Sequence, residues 1–230
     1  MFSIIFPGQG SQFVGMGKEF YEKYSLVKDI FSRADEALGF SLSEIILKGP
    51  ITKINLTENT QPSIFVISYS IFSVMKKEFD IDLNKANYFA GHSLGEYSAL
   101  ACANGIDFED AIRLLNKRGK SMQSAVPPGE GLMLAILGMD INEIEKILNE
   151  NTKFENCQIA NDNCPKQTVV SGRASAINEL SKFLKQHSIK SIILPVSAPF
   201  HCFMMKQSTE IMTKHINETN FKNPNPKIIS

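Results

Sequence analysis

Five consecutive residues, Gly91-His92-Ser93-Leu94-Gly95, fit the pattern G-x-S-x-G. In that pattern the glycines relieve crowding so that a serine can stand on a sharp turn between a strand and a helix. Ser93 would there be an acyl-accepting nucleophile, with the helix dipole and the N–H of Leu94 favouring negative charge on a reacting carbonyl oxygen. The same residues also make a glycine-bounded turn with a capping serine. The flanking sequence has the order that the catalytic reading needs. Tyr88-Phe89-Ala90 reads as a short strand, and the small and apolar residues after Gly95 read as a buried helix capped near Gly105.

A second glycine-rich turn, Phe6-Pro7-Gly8-Gln9-Gly10, follows an apolar strand at the start of the chain. It is no phosphate cradle. Counting from Gly8 and Gly10, the third glycine of the dinucleotide fingerprint falls on Phe13, and no Gly-Lys-Ser/Thr follows. Outward-pointing backbone N–H groups remain, and Gln9 can supply the second donor that a tetrahedral oxyanion requires. Gly8 and Gly10 would permit a tight turn in either case.

A nucleophilic serine needs a base. Of the four histidines, His92 adjoins Ser93 on the strained turn, while His187 and His215 lie in polar helical segments where a solvated imidazole is expected. His201 follows a strand and the breaker Pro199, in the loop Ser197-Ala198-Pro199-Phe200-His201-Cys202, where an α/β domain delivers catalytic groups. It is the candidate base, against the alternative of a histidine bonded within its own loop. Arg118, in the run Asn116-Lys117-Arg118-Gly119-Lys120, is not distinguished by composition from its basic neighbours.

The elements that must position these groups follow from periodicity. From Thr60, a capping threonine, an early proline and apolar residues at Ile64, Ile67, Ile71, Phe72, Met75 and Phe79 give a core helix. A helix from Asp107 turns Ile112 and Leu115 inward and includes Arg118 before Pro127-Pro128 breaks it. Beyond the prolines the series is strand 132–137, helix 141–148, strands 158–160 and 168–170, helix 175–186 and strand 191–196. That order, β-α-β-β-α-β, is the ferredoxin-like unit, so residues 126–195 are expected to form a small insert in an α/β domain made of 1–125 and 196–230. Lys227-Ile228-Ile229 reads as the start of a further strand, so the expected domain is incomplete.

The chain of 230 residues is 43% hydrophobic, enough for a substantial core. Twenty-four lysines and arginines balance 24 aspartates and glutamates, so no basic field gathers nucleic acid or an anionic membrane. The cysteines, Cys102, Cys157, Cys164 and Cys202, form no C-x-x-C pair and no zinc pattern, and are read as buried reduced thiols. No apolar run approaches the roughly 20 residues needed to cross a bilayer, and no export signal is visible, so the cytoplasm is expected.

Taken in order, FPGQGSQ, TQPS, GHSLGEYSAL, KRGKSMQ and PVSAPFHC closely resemble the malonyl-CoA:acyl carrier protein transacylases of fatty acid synthesis and the acyltransferase domains of polyketide and animal fatty acid synthases. The resemblance runs from Phe2 to the end. It implies an α/β-hydrolase-like domain with a ferredoxin-like insert, and it implies roles: Ser93 the nucleophile, His201 its base, the Gln9 and Leu94 N–H groups the oxyanion hole, Arg118 a clamp for the malonate carboxylate. Gln61, Asn161 and Asn163 resemble positions lining the family's cleft, with polar caps and turns as the alternative. Phe200 resembles the bulky residue of malonyl-selective members, which would crowd an α-methyl group. The expected partners are malonyl-CoA and acyl carrier protein, with no nucleic acid, no membrane and a monomeric state. One thioester is exchanged for another through a malonyl-serine ester, so neither cofactor nor metal is expected. Family members continue through further segments that supply a backbone carbonyl orienting the histidine, and no acidic third partner can be named in this chain. Two other readings share these residues: a serine thioesterase or esterase, and a non-catalytic carrier-protein-binding homologue.

Overall fold

A computed structural model describes residues 1–230. The elements in chain order are β1 (Ile4–Phe6), α1 (Lys18–Lys23), α2 (Ser25–Leu38), α3 (Leu42–Lys48), α4 (Ile51–Ile54), α5 (Thr57–Glu78), β2 (Tyr88–Gly91), α6 (Gly95–Cys102), α7 (Phe108–Ser124), β3 (Gly131–Leu137), α8 (Ile141–Glu150), β4 (Cys157–Cys164), β5 (Gln167–Arg173), α9 (Ala174–Gln186), β6 (Lys190–Ile193), α10 (Lys206–Asn217) and β7 (Lys227–Ile229). They divide into two compact units, one of Met1–Lys120 with Met212–Ser230, the other of Ser121–Ile211.

The first unit is mixed α/β with a parallel sheet in the order β1-β2-β7. Ile4, Ile5 and Phe6 pair with Phe89, Ala90 and Gly91, and Phe89 and Ala90 pair in turn with Ile228 and Ile229. Because β1 and β2 run side by side and end in register at Phe6 and Gly91, the turns that follow them leave from the same edge of the sheet. Phe6, Phe72 and Phe89 pack as tilted and edge-to-face rings beneath those turns, with centroids 5.7 to 6.4 Å apart. The largest apolar cluster joins α2, α5 and α7 through Ile30, Phe31, Phe65, Ile112 and Leu115.

Two helix ends differ from expectation. α5 begins at Thr57, three residues before Thr60, because the Leu56 carbonyl already accepts from the amides of Asn59 and Thr60. Thr60 caps nothing: its hydroxyl donates to the carbonyls of Ile54, at 2.6 Å, and Leu56. α6 stops at Cys102, and the left-handed residue that closes it is Asn104, at φ 58°, rather than Gly105. Asn104 donates to the Ala101 carbonyl and Gly105 to that of Leu100, the paired bonds of a Schellman turn. The stretch 18–54, with no element expected from sequence, forms α1 to α4.

In the second unit β3, α8, β4, β5, α9 and β6 follow one another, and the antiparallel sheet has the order β4-β5-β3-β6. Asp140 and Glu143 close a capping box at the start of α8. Leu134, Ile136 and Val170 from the sheet pack against Ile144 of α8 and Ile177, Leu180 and Leu184 of α9.

All four cysteines are free, but only Cys102 and Cys157 are buried. Cys164 is exposed because it ends β4 at the tip of the hairpin with β5, and Cys202 is half-buried, its thiol donating to the Pro199 carbonyl. Burial pushes the Cys102 thiol well above the ordinary 9.0 and, with Cys202 nearby, pushes Cys157 up to about 11. At pH 8 a thiol of pKa about 11 is roughly one part in a thousand thiolate, the reactive form. N-ethylmaleimide should therefore modify Cys164 first and Cys157 and Cys102 at least about a hundredfold more slowly, as a peptide mass-spectrometry time course would record. A raised thiol pKa favours the folded state below pH 9.0, and Cys157's share of that stability should be lost as pH rises toward about 11.

Candidate active site

Ser93 stands between the end of β2 and the first turn of α6, at φ 54°. A side chain rarely holds that left-handed conformation, so the surroundings must enforce it. Gly91 and Gly95 do so by contact. A Cβ on Gly91 would fall on the backbone of Gly95 and Glu96, and one on Gly95 would come within 2.5 Å of the Phe6 carbonyl oxygen. The turn is closed by amides donating across it: Gly95 to His92 at 3.0 Å, Glu96 to Ser93 and Tyr97 to Leu94 at 3.1 Å. Gly91→Ala should cost more than about 4 kcal/mol, since backbone rather than a flexible side chain must yield. For a chain of this length that is a fall in Tm of roughly 10 °C, measurable by calorimetry.

The turn after β1 rests against this elbow. His92 donates its amide to the Phe6 carbonyl at 3.1 Å, and a Cβ on Gly8 would strike the His92 ring. His92 is thus packed against the opening turn. Within that turn Ser11 donates to the Gly8 carbonyl and Gly10 to Gln12, so Gln9 sits at the crest of a locally bonded loop. Neither Gln9 nor Leu94 donates its amide to the bonds that close the two turns.

Arg118 is brought to Ser93 from α7. Its Nη2 donates to Ser93 Oγ at 3.0 Å and its Nη1 to Oε1 of Gln61 at 2.7 Å. Gln61 is 1% exposed, on the second turn of α5. The guanidinium carbon lies 6.0 Å from the centre of the Tyr97 ring, one turn along α6 from Ser93. Burial lowers the Arg118 pKa below the usual guanidinium range, opposed by Tyr97 and Glu96, and burial likewise raises the Tyr97 phenol, so a neutral ring faces the cation. A guanidinium fork on the serine hydroxyl can meet a carboxylate that an acyl group on that oxygen would carry. Tyr97 was not singled out by sequence; its place four residues after Ser93 on a helix was the available signal.

The remaining candidates belong to the second unit. His201 lies in the loop after β6, exposed, at φ 58°, another of the few non-glycine residues in the left-handed region. The loop is anchored by Phe200, buried with Met133, Val169, Ala198 and Met205, and by Phe203, whose amide donates to the Gln158 side chain at 2.7 Å. Gly131 has no room for a Cβ because Pro199 packs on it. Asn161 and Asn163 are on β4, an edge strand with register shifts at that point, rather than in a cap or turn; Asn161 is half-buried and Asn163 exposed. The structure therefore brings Ser93, Leu94, Gln61 and Arg118 together, with Gln9 on the adjoining turn, and sets His201, Phe200, Asn161 and Asn163 on elements of the other unit. No three His, Cys, Asp or Glu side chains are grouped to hold a metal, and no helix is long and apolar enough to cross a membrane. An apolar cavity of about 750 Å³ in the first unit is lined by residues such as Phe2, Ile5, Phe13 and Ile71 rather than by Ser93, Gln61 or Arg118.

A serine raised on a strand-to-helix elbow, with a guanidinium on its hydroxyl, has the geometry that a serine acyl-transfer site requires. Residues 3–230 match the acyl transferase domain, and the chain belongs to that family. Among its relatives is the malonyl CoA-acyl carrier protein transacylase of Bacillus subtilis, 40% identical over 230 residues, a match covering 99% of this chain and 71% of that protein. The acyl-carrier-protein-S-malonyltransferase of Bartonella henselae superposes with a TM-score of 0.94 at 39% identity, over all of this chain and 74% of that one. A malonyl-transacylase solved in complex with its type II polyketide acyl-carrier protein superposes at 0.93 with 35% identity, again over all of this chain and 74% of that one.

Proposed function

We propose that this chain transfers the malonyl group from malonyl-CoA to the phosphopantetheine thiol of acyl carrier protein, through a malonyl ester on Ser93. The observation that carries the reading is the Arg118 fork donating to Gln61 and Ser93 together. A malonyl group on Ser93 Oγ ends in a carboxylate three bonds beyond that oxygen, within reach of the same guanidinium. Acetyl-CoA has no such group to offer.

In this reading His201 takes the Ser93 proton as the oxygen attacks the thioester carbon; CoA leaves as a thiol and the ester remains. The carrier's thiol then attacks the ester, again with His201 accepting a proton. The Gln9 and Leu94 amides stabilise the tetrahedral oxyanion, and Asn161, Asn163 and Phe200 line the acyl cleft. Thioester exchange is redox-neutral and needs no cofactor or metal. What it needs is the exclusion of water from the ester. The architecture proposed with it is an α/β-hydrolase-like domain carrying a ferredoxin-like insert, supported by the β-α-β-β-α-β series of the second unit and its strand order. Four free cysteines fit the reducing cytoplasm.

The test is intact-protein and peptide mass spectrometry after brief incubation with malonyl-CoA or acetyl-CoA. A malonyl adduct on the Ser93 peptide, discharged by holo acyl carrier protein, is expected. CoA release that continues without any acceptor thiol would make the chain a thioesterase. Tight carrier binding with no acyl-serine would make it a non-catalytic binding module.

A further inference from the structure

Asn116 lies two residues before Arg118 on α7 and is 7% exposed. Its Nδ2 donates to the Glu58 carbonyl at 2.9 Å. In a regular helix that carbonyl would accept from the amide four residues on, which in α5 is Pro62 and has no N–H. The acceptor left vacant by the proline is filled from a different helix. Gly119 lies three residues past Asn116, on the same face of α7, and a Cβ there would strike the Glu58 backbone and come within 2.5 Å of the Thr57 carbonyl oxygen. One residue fixes the register of α7 against the first turn of α5, the other the distance. Arg118 is held between them, its fork on Gln61, itself on α5.

We propose that Asn116 is a positioning residue for Arg118: by docking on the carbonyl that Pro62 leaves vacant, it sets α7 so that the guanidinium reaches Gln61 and Ser93 together. Its consequence for acyl choice rests on the malonyl reading above. A two-pronged donor is sensitive to placement, and a displacement of about 1 Å can cost about a hundredfold in rate.

The test compares Asn116→Ala, Pro62→Ala and the double variant in the full chain. Alanine at 62 returns an N–H to the Glu58 carbonyl without restoring any link between the helices. Asn116→Ala should lower stability relative to the wild type, and the double variant should lose much less relative to Pro62→Ala alone. The Arg118 Nε–H signal in protein labelled with [15N]arginine, which has only four arginines to resolve, should move toward the solvent-averaged position in both Asn116 variants. The ratio of malonyl to acetyl adduct formation should fall about ten- to a hundredfold in both. Return of the Arg118 signal and the acyl preference along with stability would overturn the proposal, leaving Asn116 as a partner for one carbonyl and no more. So would a double variant that stays unstable, since the vacancy would then not be what Asn116 fills. A wild-type protein without a malonyl adduct would sink the malonyl reading, while the Arg118 signal would still decide the positioning.

Discussion

Ser93→Ala should give no malonyl adduct on the elbow peptide and should lower malonyl transfer to holo acyl carrier protein by at least about a thousandfold, and up to about a millionfold. The size follows from the chemistry, since the covalent route needs an oxygen at this position and the amides around it can only polarise the thioester. The variant should stay folded. Alanine meets the same strain as serine at φ 54°, and the turn is held by backbone contacts of Gly91 and Gly95 that the substitution leaves in place. The hydrogen bond from Arg118 to Ser93 Oγ is lost, worth about 1.5 to 3 kcal/mol, while the guanidinium keeps Gln61. Circular dichroism and Tm separate a folded, inactive variant from an unfolded one. An adduct of unchanged mass on another peptide of Ser93→Ala would place the nucleophile elsewhere.

The elbow was legible in the sequence because its demands are local. Two glycines that must touch a neighbouring backbone, an apolar strand before them and a small-residue helix after them all lie within about fifteen residues. α5 was legible as a helix but not at its start. Thr60 two residues before Pro62 has the composition of a cap, and only the tertiary path through α4 shows that the Leu56 carbonyl closes the first turn instead. α1 and α4, six and four residues long, are too short to display a period, whereas the buried stripe Val27, Ile30, Phe31 and Ala34 of α2 is one that periodicity could have found. Arg118 was one basic residue in a basic run until motif resemblance singled it out. What marks it physically is the approach of α7 to α5 through Asn116 and Gly119, a contact between segments nearly 60 residues apart with no local signature. Pro62 did carry a hint, since a proline inside a helix leaves a carbonyl that something else must satisfy.

Arg118→Ala should collapse the preference for malonyl over acetyl groups. Removing one member of a buried charge pair costs about 2 to 5 kcal/mol, so the ratio of the two rates of acyl-serine formation should fall by roughly 30-fold to several thousand-fold. The loss should fall on malonyl-CoA alone, because acetyl-CoA brings no carboxylate to be orphaned. Arg118→Lys is the sharper variant. It keeps the positive charge but replaces a planar fork with a point charge, which cannot donate to Gln61 and Ser93 in the geometry seen here, and its selectivity should lie between the wild type and alanine. If charge alone selected the substrate, lysine would restore the full ratio. Gln61→Ala adds the complementary measurement: it leaves the guanidinium in place but frees one prong, and should weaken malonyl selectivity by about tenfold through loss of orientation. A wild-type enzyme that loads acetyl and malonyl groups at equal rates, or an alanine variant with an unchanged ratio, would remove Arg118 from the recognition of the acyl group and leave it as a structural partner of Gln61.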